Sequence, residues 1–356
     1  MKNKRILFTG GGSAGHVIVN LALIPVYLRD GWEVDYIGSH DGIERQLIGE
    51  MEGVRYHPIS TGKLRRYMSK ENLKDPFKVL KGTLQAWRII GKQKPQAVFS
   101  KGGFVSVPVV AAAKLRNVPA VIHESDYTPG LANKLAVPFA KKVLATFEET
   151  MQYLPEKKAE YVGAVIREEL FQGDKQAGLA MAGLTNDKPV LLVMGGSGGA
   201  RKINETVRAS LPELLESFQV IHICGKGNVD PDARQQGYAQ FEYVNQELKD
   251  IMAASDYVLS RAGSNAIFEF LALRIPMLLI PLSRQASRGD QIINAESFVE
   301  KKYARVLEEE ALSERALMEE LFQLKKAAPA MRDYMEQYKS EKSRARVIAI
   351  LEEVMK

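Results

Sequence analysis

The sequence predicts two doubly wound α/β units in tandem, and three observations predict them. Short apolar runs alternate with helical patterns through the first half of the chain, and the same alternation restarts near Gly163. Each half also places a glycine-rich turn straight after its first apolar run, at residues 10–16 and again at 195–200. Alternating strand and helix signals are the mark of a parallel sheet covered by helices. A chain of 356 residues is moreover too long for one core, at a guide of about 150 residues per domain.

In the first half the apolar runs are 5–8, 33–38, 97–100, 120–123 and 142–145, most of them followed by a glycine-bearing or polar turn. A polar stretch follows residues 161–167, and then come the runs 189–194, 219–224, 241–244, 256–260 and 276–280. From about Glu308 onward the pattern is helical. The first domain is expected to span 1–162, joined by a C-terminal helix at about 340–356, and the second to span 163–339. Each half has the length of one nucleotide-binding, Rossmann-like unit, and two such units facing across a cleft would bring both glycine turns to one ligand.

Composition narrows the class. Hydrophobic content of 46% and charged content of 26% are ordinary for a globular protein, and no run approaches the ~20 apolar residues of a membrane span. The N-terminus enters its first strand without a secretory cleavage pattern, so a cytoplasmic protein is expected. The single Cys224 ends an apolar run; it excludes an internal disulfide or a cysteine metal cluster and reads as a buried structural thiol.

The net charge of +6 is concentrated in one place. Between Lys63 and Lys94 stand ten Lys or Arg against Glu71 and Asp75. Within this segment Phe77, Leu80, Leu84 and Trp87 recur on one helical face, with Lys74, Lys78, Lys81, Arg88 and Lys92 around it. Such a row is often core-facing. With these cations and the basic stretch 63–70 before it, it also matches an interfacial helix resting on anionic lipid. Nucleic acid is the competing polyanion, but no nucleic-acid-binding motif accompanies the basic run, so no nucleic acid partner is expected.

The turns carry the chemistry. In GGGSAGH, residues 10–16, Gly10, Gly12 and Gly15 spell G-x-G-x-x-G, and Asp35 stands about 20 residues on, where a ribose-binding carboxylate of a dinucleotide enzyme would lie. The glycines also suit a plain tight turn. His16, at the start of the following helix, would have its neutral form favoured by the macrodipole, which suits a general base. His123, Glu124, Ser125 and Asp126 close another strand, at the sheet end where ligands gather. Glu124 and Asp126 are further base candidates there, and Ser125 or Asp126 could instead cap a helix. Gly102 and Gly103 give either a close backbone approach or a bare turn.

In the second half, Ser197 and the consecutive backbone N–H groups of 195–200 suit a diphosphate. The stretch 260–265 leads into an apolar helix carrying Glu269, which needs a partner: a ribose, or an arginine such as Arg261 or Arg274. Asp290, Gln291 and Asn294 offer the donors and acceptors that sugar hydroxyls require.

Together these stretches resemble the MurG family of bacterial peptidoglycan N-acetylglucosaminyltransferases. Where the family has GGTGGH, GGSxGA, R-S-G-A-x-x-x-x-E and D-R-Q-Q-x-x-N-A, this chain has GGGSAGH, GGSGGA, RAGSNAIFE and GDQIINA, and the likeness runs over nearly the whole length. The resemblance implies a GT-B fold and an inverting transfer, without catalytic metal or cofactor, of GlcNAc from UDP-GlcNAc to the 4-hydroxyl of the muramoyl sugar of lipid I, giving lipid II. It implies an N-terminal acceptor- and membrane-binding domain, a C-terminal UDP-GlcNAc-binding domain, a peripheral place on the cytoplasmic face of the cell membrane, and cell-wall synthesis proteins as partners. By the same resemblance Gly12, Ser13, Ala14, Gly15 and His16 meet the acceptor diphosphate and reacting hydroxyl, and Ser125 joins the substrate site. Arg167, Ser197, Gly263, Ser264, Glu269 and Gln291 then serve the donor, with Glu269 on the ribose, Gln291 on the GlcNAc hydroxyls, and Tyr243 and Val244 near uracil. The chain departs from the family pattern at Ser13, Ala14, Phe104, Ser125, Asp126 and Ile292. Another glycosyl transfer onto a lipid acceptor, NAD-dependent oxidoreduction, and sugar-nucleotide sensing without catalysis are the alternative readings.

Overall fold

The computed structural model describes residues 4–62, 75–196, 198–284, 289–339 and 342–356. The chain divides into two compact units, one formed by Met1–Val165 with Ser340–Lys356 and the other by Ile166–Lys339.

The first unit runs β1 (Arg5–Thr9), α1 (Ile18–Arg29), β2 (Glu33–Ser39), α2 (Ile43–Gly49), β3 (Val54–Ile59), α3 (Asp75–Gln93), β4 (Ala97–Ser100), α4 (Ser106–Leu115), β5 (Ala120–Glu124), α5 (Leu131–Ala136), β6 (Lys142–Ala145) and β7 (Ala159–Tyr161). Its strands are all parallel, in the order β3-β2-β1-β4-β5-β6-β7. Helices cover both faces, so the strands read as continuous apolar runs rather than alternating ones. Along β1, Ile6 and Phe8 enter one layer, with Leu23 and Ile24 of α1, while Leu7 enters the other, with Ile90 of α3 and Val109 of α4. Strands β3 and β7, which the sequence pattern did not reveal, are the sheet's edges; β3 carries Arg55, His57 and Pro58, residues an edge tolerates and a central strand does not.

Helix α3 is built the unusual way round. Its inward row is Gly82, Ala86 and Ile90; a Cβ on Gly82 would lie 2.2 Å from the Ser60 carbonyl oxygen, so the helix can seat this closely only on small side chains. Its large apolar row faces outward, with Phe77 75%, Leu80 61%, Leu84 52% and Trp87 37% exposed, which excludes the core-facing reading of that row. The Arg116 guanidinium lies 3.4 Å from the Trp87 ring centroid and its Nε donates to the Trp87 carbonyl. Lys74 and the basic stretch 63–70 lie outside the described residues.

The second unit runs α6 (Lys175–Ala182), β8 (Val190–Met194), α7 (Arg201–Ala209), α8 (Leu211–Ser217), β9 (Gln219–Ile223), β10 (Tyr238–Phe241), α9 (Leu248–Ala254), β11 (Tyr257–Ser260), α10 (Ser264–Ala272), β12 (Met277–Leu279), α11 (Asp290–Glu300), β13 (Ala304–Val306) and α12 (Glu314–Glu336). Its parallel sheet has the order β10-β9-β8-β11-β12-β13. Leu191 and Val193 of β8 pack with Ile203 and Val207 of α7 and Leu317, Leu321 and Leu324 of α12. The third strand is Tyr238–Phe241, not 241–244, so Tyr243 and Val244 stand just beyond its carboxyl end. The last helix, α13 (Ser343–Met355), places Val347, Ile350 and Leu351 in the core of the first unit. Both sheets reverse their strand order beside the first strand of the unit, at β1/β4 and at β8/β11, which is where such folds bind ligands.

Candidate active site

At the switch point of the first unit, the loops after β1 and β4 are locked together. The Gly11 N–H donates to the Gly102 carbonyl at 3.3 Å, and a Cβ on Gly103, whose φ is +81°, would lie 2.0 Å from the Gly11 oxygen and 3.1 Å from His16 Nδ1. No residue but glycine meets both demands. Gly12, Ser13, Ala14, Gly15 and His16 follow; Ala14–His16 form a single 3-10 turn, and α1 begins only at Ile18. A Cβ on Gly12 would meet no atom within 4 Å, so there is open room beside that backbone.

His16 Nδ1 lies 3.1 Å from the Gly11 carbonyl oxygen and 3.1 Å from Ser13 Oγ. A carbonyl only accepts, so Nδ1 carries the proton and the lone pair resides on Nε2. Burial first, and the Lys101 ammonium second, hold the ring below the ordinary histidine value, against Asp126, the Gly11 carbonyl and Glu44. The neutral imidazole expected from the helix dipole is thus produced by desolvation and a neighbouring cation.

Lys101 follows β4 and is 1% exposed, with its Nζ donating to Ser125 Oγ at 2.6 Å. Burial lowers its pKa, opposed by Glu124 and Asp126. Glu124 is fully engaged by its own loop: Oε1 accepts from the Asp126 N–H at 3.0 Å, and Oε2 accepts from the Gly130 N–H at 2.9 Å and from Asn133 Nδ2 at 2.8 Å. Burial and Asp126 push this carboxyl up, and Lys101 opposes them. Neither Ser125 nor Asp126 caps a helix, since the N-cap of α5 is Gly130. His16, Lys101, Ser125 and Asp126 therefore form one cluster, with Glu124 as the brace beneath it.

Glu44, in the first turn of α2, completes this end of the sheet. Its carboxylate accepts from the Gly12 N–H at 3.0 Å and from the Ser39 N–H at 2.9 Å and hydroxyl; burial opposes ionisation, yet these hydrogen bonds hold it below the usual carboxylate range. Asp35 is not at this end at all. It lies four residues before Ser39, about 13 Å down the strand, where Arg55 Nε at 3.2 Å and His57 Nε2 at 2.7 Å hold it. The ribose-binding acid of a dinucleotide site is therefore absent from that position.

In the second unit, the turns after β8, β11 and β12 lead into the N-termini of α7, α10 and α11. A Cβ on Gly196, Gly198 or Gly263 would meet no atom within 4 Å. Ser197 lies outside the described residues. Glu269 of α10 is buried and bound by Arg167, Nε to Oε1 at 2.9 Å and Nη2 to Oε2 at 3.1 Å. The two nearby arginines are engaged elsewhere, Arg261 with Glu309 and Arg274 with Glu336. Burial pushes the Glu269 carboxyl up and Arg167 opposes it; Tyr243, half exposed, acts electrostatically on the same guanidinium. Val244 is buried, and Ser264 opens α10 behind its N-cap Gly263. Gln291 Oε1 accepts from the Leu282 N–H at 3.1 Å, tying α11 to the turn after β12.

Comparison with known proteins decides the family. Residues 6–145 match the glycosyltransferase family 28 N-terminal domain and residues 190–350 its C-terminal domain. The chain belongs to glycosyltransferase family 28. Among curated relatives it is 72% identical over 354 residues, covering 99% of both chains, to the UDP-N-acetylglucosamine–N-acetylmuramyl-(pentapeptide) pyrophosphoryl-undecaprenol N-acetylglucosamine transferase of Oceanobacillus iheyensis. It is 61% identical over 315 residues, 88% of each chain, to the Geobacillus thermodenitrificans protein of that name. Among solved structures, Acinetobacter baumannii MurG superposes with a TM-score of 0.77 at 23% identity, over 98% of this chain and 99% of that one. The fold is thus the two-domain GT-B fold of family 28.

Two residues of this candidate site were not singled out in the sequence, Lys101 and Glu44. The signals were there. Lys101 directly follows a wholly buried strand, and Glu44 opens the helix after the second strand, both at carboxyl strand ends. Among the described residues no group of three His, Cys, Asp or Glu side chains could hold a metal ion, and no helix is long and apolar enough to cross a membrane.

Proposed function

We propose that this protein transfers N-acetylglucosamine from UDP-N-acetylglucosamine to the 4-hydroxyl of N-acetylmuramoyl-pentapeptide carried on undecaprenyl diphosphate, giving lipid II and UDP in peptidoglycan synthesis. The observation that carries the substrate pair is the full-length identity to the Oceanobacillus iheyensis transferase.

The chemistry is a single displacement with inversion. The acceptor oxygen attacks the anomeric carbon, its proton passes to a base, and the bond to the β-phosphate breaks with its electron pair leaving on UDP. His16 suits the base: its ring is neutral, with the lone pair on Nε2. Glu124 suits it poorly, since three donors occupy its oxygens. Asp126 is the second choice. Gly12, Ser13, Ala14 and Gly15 suit the acceptor diphosphate, with open room beside the Gly12 backbone, and Ser125, held by Lys101, joins the same substrate site.

On the donor side, the glycine turn after β8 leads into the N-terminus of α7, and the N-termini of α10 and α11 follow at adjacent strand ends. These dipoles suit a leaving diphosphate without a metal. Glu269, oriented by Arg167, offers two carboxylate oxygens to the ribose diol; Gly263 and Ser264 flank it, Gln291 reads the sugar hydroxyls, and Tyr243 and Val244 border the base.

The enzyme works as a peripheral protein at the cytoplasmic face of the cell membrane, because an acceptor with a polyprenyl tail does not leave the bilayer. The exposed row Phe77, Leu80, Leu84 and Trp87, flanked by Lys78, Lys81 and Arg88, supports docking on anionic lipid. Calorimetric titration tests the donor assignment: UDP-GlcNAc should bind and NAD should not, and the opposite result overturns the reading.

A further inference from the structure

The unusual group in the first unit is the ammonium of Lys101. It is 1% exposed, yet among the described residues its hydrogen-bond acceptor is a single neutral oxygen, Ser125 Oγ at 2.6 Å. Its backbone N–H is pinned to the Thr9 carbonyl at 2.9 Å, at the root of the glycine turn that carries His16. The Glu124 and Asp126 carboxylates favour its charge, yet burial outweighs them, so the ammonium is held there at a cost. A charge kept there under such a penalty acts on something nearby.

We propose that Lys101 is a positioning residue for the transfer reaction: its ammonium ties the Ser125–Asp126 turn to the end of β4 and sets a fixed positive charge beside the His16 imidazole, keeping that ring in its proton-accepting form. The proposal rests on the reading of His16 as the base. Among the described residues, Lys101 after β4, Asp126 after β5 and Glu44 from α2 act on the charge of His16. Burial is the larger influence holding the ring neutral and Lys101 the second; the two carboxylates oppose them, so removing Lys101 moves the ring toward easier protonation. The fully buried His123, whose nitrogens both lack a hydrogen-bond partner among the described residues, is held neutral by burial and by the same ammonium. Lys101 thus disfavours protonation of both His16 and His123.

The test compares wild type with Lys101→Met, close in shape but uncharged, and with Lys101→Arg, which keeps the charge. Two readouts are taken on the full chain: the pH profile of kcat with lipid I and UDP-GlcNAc saturating, and the NMR titration of the His16 ring, assigned by its loss in His16→Gln. In Lys101→Met the acid limb of the rate profile and the His16 titration should both move up by about one pH unit, and in Lys101→Arg both should stay near wild type. A loss of kcat with neither midpoint moved overturns the proposal and leaves Lys101 a mere prop. A raised KM for lipid I with both midpoints fixed also overturns it, making Lys101 a direct acceptor contact. A moved His16 titration, with His16→Ala keeping wild-type turnover, upholds the hold of Lys101 on the ring and overturns only the assignment of the base. If Lys101→Met does not fold, Lys101→Gln carries the same comparison.

Discussion

The Arg167 guanidinium lies fork to fork against the Glu269 carboxylate, two parallel hydrogen bonds of 2.9 and 3.1 Å joining the segment before α6 to the middle of α10. Both partners are largely buried, so breaking the pair leaves an uncompensated charge, at a cost of about 3–5 kcal/mol. Glu269→Ala should therefore lower the thermal midpoint and raise the KM for UDP-GlcNAc at least tenfold. It should leave kcat within a few-fold, because a ribose contact is made alike in ground and transition states. A large fall in kcat at unchanged KM would place Glu269 in the chemistry instead.

His16→Ala should lower kcat by roughly 10²- to 10⁴-fold, the range of general-base assistance, with little change in donor affinity. Steady-state kinetics under saturating substrates checks it. Turnover within a few-fold of wild type would pass the role to Asp126.

The outward row of α3 gives a prediction in which folding and binding separate. Because Phe77, Leu80 and Leu84 are exposed, replacing them with serine should leave the thermal midpoint almost unchanged. Co-sedimentation with anionic vesicles should fall steeply, and so should the effect of added salt on it. Changing Lys78, Lys81 and Arg88 to glutamate should abolish association while UDP-GlcNAc affinity persists. Variants that co-sediment like wild type would mean that another surface reaches the lipid.

Acid should destabilise the protein through its buried histidines. His222, hydrogen-bonded to Tyr238 and Asn204, is pushed down to about 3 by burial and then by Arg208. Its folded pKa lies below the unfolded value of about 6.5, so between these limits the unfolded chain binds the extra proton and stability falls as pH falls. The slope from this residue is about half of 1.4 kcal/mol per pH unit near pH 6.5 and approaches about 1.4 as pH nears 5. Unfolding midpoints of wild type and His222→Gln between pH 7 and pH 5 should show a shallower decline in the variant; parallel declines would refute the assignment.

What was legible in the sequence follows from where burial is strongest. Central strands such as β1, β4, β5 and β8 are apolar on both faces and stand out, and the glycine turns after β1 and β8 follow them directly. The edges β3, β7 and β13 are short or polar and were not seen. Of the candidate site, the glycine turns, His16 and Glu269 could be picked out in the sequence. Its electrostatics were not: the partner of Glu269 is 102 residues away in sequence, and Lys101 and Glu44 act on His16 only once β4 and α2 are folded against the first turn. The Asp35 reading failed because a spacing of about 20 residues does not say which end of a strand a side chain occupies.

The most direct measurement of the central claim is the in vitro reaction with lipid I and UDP-GlcNAc. The account predicts one lipid II formed for each UDP released, with a β-linked GlcNAc on the muramoyl 4-hydroxyl, dependent on both substrates and lost in His16→Ala. UDP-GlcNAc binding without any lipid II, or UDP release without transfer to the lipid, would contradict it.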